Sequence, residues 1–128
     1  MMRSMHGMHL TADLRGCDPA QSPMHDPQAL RALCLASVAA AGLQAVGELF
    51  HAFPAPGGVT GVVLLAESHV AVHTWPELRA VTLDVYVCNL QADNSGRARA
   101  LAQALQAAFA PTSAELHCLE RGVQDSGA

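Results

Sequence analysis

Apolar and polar positions change period several times along this chain, and each change predicts an element. His6 to Leu14 alternates loosely and stops at Gly16-Cys17-Asp18-Pro19, which predicts a strand followed by a turn. Asp18 to Asp26 carries Pro19 and Pro23 and reads as loop. Asp26 then Pro27 pairs an N-cap with the proline favoured at the first helical position. Leu30, Leu33, Cys34 and Val38 follow at helical spacing, and Gly42 is a natural stop.

Beyond the helix the period shortens. Ala45 to Phe53 reads as a strand closed by the loop Pro54-Ala55-Pro56-Gly57-Gly58. Val59 to Ala66, Val70 to Trp75 and Val81 to Val87 are short β-branched runs, hence three more strands. Asp93-Asn94-Ser95 predicts the cap of a second helix with Leu101, Leu105 and Phe109 on its apolar stripe and Pro111 just past it. Ala114 to Leu119 predicts a last strand, and Gly122 to Ala128 reads as a frayed end. The order β-α-β-β-β-β-α-β predicts an α/β (α+β) two-layer sandwich, a mainly antiparallel sheet with two helices.

One pattern bears on assembly. Val59, Val63 and Leu65 point to one side of their strand, and Val62, Leu64 and Ala66 to the other, so both faces are apolar. Two helices cover about one face of such a sheet. The other face is therefore expected to stack on a second copy, giving a homodimeric αββα sandwich; helices split between the two faces are the alternative.

Composition narrows the class. A chain of 128 residues, 51% apolar and 14% charged, fits one globular domain, 1–128. The formal charge of −4, without a basic run, argues against nucleic acid as a partner. No stretch approaches the ~20 apolar residues of a membrane span, and Met1 to Gly7 lacks the apolar core of a secretory signal. Cys17, Cys34, Cys88 and Cys118 are widely spaced, forming neither a disulfide framework nor a zinc motif, so reduced thiols in the cytoplasm are expected.

The candidate chemistry lies in Glu67-Ser68-His69, a polar step between two apolar strands where a hairpin turn must fall. A serine held in a tight turn can aim its hydroxyl at the preceding carbonyl, which is nucleophilic catalysis by the chain on itself. His69 and His73 are also at the i, i+4 spacing of metal ligands on a helix. On a strand that spacing is roughly 13 Å, too far for one ion, so no metal site is expected.

The run Glu67-Ser68-His69, three residues, then His73-Thr74-Trp75-Pro76-Glu77 closely resembles the bacterial and archaeal S-adenosylmethionine decarboxylase proenzymes. The resemblance extends to Gly7-Met-His9-Leu-Thr-Ala-Asp13-Leu-Arg-Gly16-Cys17, to His51-Ala-Phe53 and to Asp84-Val-Tyr-Val-Cys88. It implies cleavage between Glu67 and Ser68 into residues 1–67 and 68–128, the second chain carrying a covalent pyruvoyl cofactor made from Ser68. It implies that His73 drives elimination during processing, with Thr60 where the family has an assisting serine. It implies Cys88 as the proton donor in turnover and Glu77 as a ribose contact, with Asp13 and Phe53 as further substrate-binding candidates. The pyruvoyl group captures the amine of an amino-acid substrate and accepts the electrons left by decarboxylation. A small-molecule substrate, S-adenosylmethionine, would thus yield an aminopropyl donor for spermidine biosynthesis.

Leu78-Arg79-Ala80 departs from the tyrosine, glycine and aromatic residue usual after this glutamate. Aromatic rings suit adenine and a sulfonium, and a guanidinium would repel the latter. L-Ornithine or L-arginine on the same scaffold, or an uncut non-enzymatic chain, are the alternatives that this leaves.

Overall fold

The computed structural model describes residues 4–89 and 92–124. Strand β1 (Ser4–Arg15) leads through a loop and one 3-10 turn to helix α1 (Pro27–Ala40). Strands β2 (Ala45–Ala52), β3 (Val59–Leu65), β4 (Ser68–Trp75) and β5 (Ala80–Cys88) follow, then α2 (Ser95–Phe109) and β6 (Ser113–Gln124). The expected order of elements is the observed one.

Local chemistry explains the boundaries. The Asp26 carboxylate accepts the Gln28 N–H at 3.0 Å, and Pro27 opens α1. Gly42 at φ 80° ends it, a conformation that costs glycine nothing. Inside the sheet, Gly58 is demanded by a close approach, since a Cβ there would collide with the Thr74 backbone carbonyl. The buried Thr74 hydroxyl accepts the Val59 N–H and donates to the Met24 carbonyl, each at 2.8 Å. The threonine of the His-Thr-Trp run thus ties the loop before α1 to the sheet.

The sheet order is β2-β3-β4-β5-β1-β6, and every pair is antiparallel. The first strand of the chain is therefore inserted between β5 and β6. Both helices lie on one face, where they touch each other, α1 over β2 and β3 and α2 over β5 and β1. They enclose a core of Leu10, Leu14, Leu30, Val72, Leu83 and Phe109 among others. Helices on opposite faces are excluded.

Two expectations need correction. The chain does not fray at Gly122, because β6 continues to Gln124 against the early start of β1, with Met5 opposite Val123 and His6 opposite Gly122. Residues 125–128 lie outside the described residues. The face away from the helices is also less apolar than β3 alone suggests. Leu49, Val62 and Leu64 make an apolar corner, and Ala66 lies in the turn. Toward β1 the same face carries His9, Thr11, Asp13, Thr82, Asp84 and Tyr86.

Candidate active site

Ala66 and Glu67 form a two-residue turn closed by the pair Leu65–Ser68. Glu67, whose carbonyl belongs to the bond that the sequence marks for cleavage, sits at φ 56°. The left-handed region costs a residue with a Cβ roughly 1–2 kcal/mol, so strain is held at this bond. The register of His69 opposite Tyr86 brings Ser68 beside the end of β5. There the Ser68 Oγ accepts the Cys88 backbone N–H at 3.1 Å. The Cys88 side chain lies on the open face with Tyr86 and Asp84 and is only 8% exposed. Ser68 and Cys88, twenty residues apart in sequence, thus meet at one end of the sheet.

Thr60 and His73 form a second group. They face each other across β3 and β4, with Thr60 Oγ1 and His73 Nδ1 3.0 Å apart, and the His73 ring is tilted against Trp75 at 6.4 Å. Five positions along an extended strand separate His73 from Ser68, about 16 Å. Within one chain this pair does not reach the Glu67–Ser68 bond.

The substrate-binding candidates lie farther still. Glu77 is exposed in a 3-10 turn beyond Trp75, and β4 alone spans about 23 Å from Ser68 to that end. Phe53 follows β2 at the same far end, edge-on to His51 at 4.8 Å. Asp13 stands opposite Thr82 and Glu115, in register with His73 rather than with Ser68. The single chain therefore divides its candidates between two ends of one open face.

Around Ser68 and Cys88 the structure adds residues that were not singled out. His9, Tyr86 and His69 form one transverse row across β1, β5 and β4. Tyr86 stacks on His69 at 5.7 Å and meets His9 edge-on at 6.1 Å. His9 Nε2 lies 3.1 Å from Asp84 Oδ1. The period-two spacing of Gly7, His9, Thr11 and Asp13 could have placed His9 on a shared face. No spacing signal shows which strands lie beside it.

The remaining cysteines fit packing. Burial pushes the Cys34 thiol up to about 12 and raises that of Cys17, so both stay protonated and inert. Cys118 is exposed on β6. Two cavities, of about 600 and 290 Å³, run along α2 and β6 and are lined by none of the predicted site residues. The open face near Ser68 is shallow until something covers it.

A hairpin that strains the carbonyl before a serine, with a cysteine beside that serine, defines a self-cleaving proenzyme class. Residues 8–122 match the family model described as S-adenosylmethionine decarboxylase. The chain is 34% identical to the S-adenosylmethionine decarboxylase proenzyme of Pyrococcus furiosus over 93% of its length and 81% of the relative's. It is 37% identical to that of Hydrogenobaculum sp. over 91% of this chain and 82% of that one. The crystal structure of the adenosylmethionine decarboxylase from Aquifex aeolicus superposes with a TM-score of 0.81 at 33% identity, covering 91% of both chains. This chain belongs to the S-adenosylmethionine decarboxylase family. No helix among the described residues is long and apolar enough to cross a membrane.

Proposed function

We infer that this chain is a self-processing, pyruvoyl-dependent S-adenosylmethionine decarboxylase that works as a homodimer. The observation that carries the reading is Ser68 Oγ held at the Cys88 N–H, next to a scissile residue at positive φ. Attack of that oxygen on the Glu67 carbonyl exchanges the amide for an ester. Elimination then frees a chain ending in the Glu67 carboxylate, and water uptake with loss of ammonia leaves a ketone at residue 68. The residues fit such a group: the precursor hydroxyl is in place, and the cysteine beside it is a proton source near neutral pH. Once formed, the pyruvoyl group supplies an electron sink for decarboxylation. Cys88 delivers a proton to the substrate α-carbon on the open face, where His9, Tyr86 and His69 line the approach.

The separation of the two clusters supports the dimer. Two sheets stacked open face to open face about a twofold axis can bring the far end of one over the Ser68 end of the other. His73 and Thr60 of the partner subunit then assist elimination, and the partner's Glu77 and Phe53 complete the substrate site. The same stacking buries Leu49, Val62 and Leu64. Four unpaired cysteines favour a reducing, cytoplasmic setting.

Complementation tests the shared site. Co-expressed Ser68→Ala and His73→Ala chains are expected to form mixed dimers in which the His73→Ala chain is cut, while neither variant is cut alone. Absence of cutting in the mixture argues for processing within one subunit. Thr60→Val keeps shape and removes the hydroxyl bonded to His73. Fragment appearance should slow about 5- to 10-fold, as for one lost hydrogen bond. Carbon dioxide release from S-adenosylmethionine, and not from L-ornithine or L-arginine, is the expected assay result; the reverse preference would move Arg79 from the margin of the site to its specificity.

A further inference from the structure

We propose that Arg121 and Tyr86 form the anchor for the substrate's α-carboxylate, a reading that rests on the pyruvoyl assignment above. In the sheet register Gly7 stands opposite Cys88 on one side and opposite Arg121 on the other. These three residues make one row across β5, β1 and β6, on the face where Cys88 points. The middle residue has no side chain, so the row holds a notch beside the thiol.

Two donors converge on the notch. A Cβ on Gly7 would lie 2.8 Å from the Tyr86 hydroxyl and 3.1 Å from its ring, so the phenol already leans into that space. The Arg121 guanidinium carbon sits 5.9 Å from the Tyr86 ring centroid, within cation–π range. Neither donor has a strong acceptor among the described residues. The Tyr86 hydroxyl reaches only the Met5 sulfur at 3.5 Å, a weak acceptor. Arg121 has no carboxylate partner there, and the nearby Asp84 is engaged by His9. The other arginines on this face, Arg15 and Arg79, lie at the far end of the sheet. A planar guanidinium beside a phenolic O–H is a fitting receptor for a carboxylate.

The chemistry of the reaction requires such a contact near Cys88. Every α-amino-acid substrate carries its carboxylate on the carbon that later takes the proton, so the group that binds one lies close to the donor of the other. The anchor acts on the ground state, because the charge that it holds leaves with carbon dioxide. Its loss should therefore raise KM and leave kcat unchanged or slightly higher.

The test uses the cut enzyme and compares S-adenosylmethionine with its decarboxylated amine as a competitive inhibitor. Arg121 is exposed, so Arg121→Gln leaves the core intact. It is expected to raise KM about 10- to 100-fold, the range of a charge-assisted hydrogen bond, while the inhibition constant of the amine stays within twofold. Tyr86→Phe should raise KM about 2- to 10-fold with the same selectivity. An unchanged KM, an inhibition constant that rises in parallel, or failure of Arg121→Gln to be cut overturns the carboxylate anchor. An uncut parent chain overturns the pyruvoyl reading itself, so the two failures are distinguishable.

Discussion

Ser68→Ala yields one uncut band on a denaturing gel, where the parent chain gives two fragments, 1–67 and 68–128. The effect is complete rather than partial, because the substitution removes the only atom that can form the ester. The geometry around it is otherwise kept: the turn, the Leu65–Ser68 closing pair and the Cys88 N–H do not depend on the hydroxyl. Mass spectrometry of the parent's second fragment should find it lighter by one ammonia than the same peptide with a free serine amine. It should also be refractory to N-terminal sequencing. Cutting at this bond in the Ser68→Ala chain would falsify the mechanism and assign the break to an outside protease.

Cys88→Ala separates maturation from turnover. Ser68 is held by the backbone N–H of Cys88, not by its thiol, so the variant should still cut itself. Steady-state turnover is then expected to fall about 10²- to 10⁴-fold, the usual contribution of a positioned proton donor. A single-turnover experiment sharpens the result. Carbon dioxide leaves before the proton arrives, so one equivalent should still be released per cut chain while formation of the amine stalls. A variant that turns over within tenfold of the parent would give the proton to another group, with His9 and Tyr86 the nearest candidates.

The fold was legible where local physics decides it. The β-branched runs that become β3, β4 and β5, the Asp26-Pro27 start of α1 and the Phe109 end of α2 lie close to where periodicity predicts. The end of β6 was not legible. Gly122 looks like a terminator, yet it serves a close strand approach, since a Cβ there would lie 2.5 Å from the Met5 carbonyl oxygen. Only the pairing with β1 reveals that. The same limit governs the site. The motif identified Ser68, His73 and Cys88, but spacing along a chain says nothing of register across strands. Register is what unites Ser68 with Cys88, joins Thr60 to His73, and keeps the two groups apart. Arg121 was invisible for the same reason, because its relation to Cys88 runs through Gly7, with one partner on each side.

The insertion of β1 between β5 and β6 has a consequence for the mature molecule. Residues 1–67 hold β1, β2 and β3, and residues 68–128 hold β4, β5 and β6, so the two fragments interleave in the sheet. Cutting the turn leaves the β3–β4 ladder and both ladders of β1 to hold them together. The order of reassembly changes all the same. Before cleavage, folding is a first-order event of one chain. Afterwards the denatured fragments must find each other, so the melting temperature acquires a dependence on concentration that the Ser68→Ala chain lacks at the level of a single subunit.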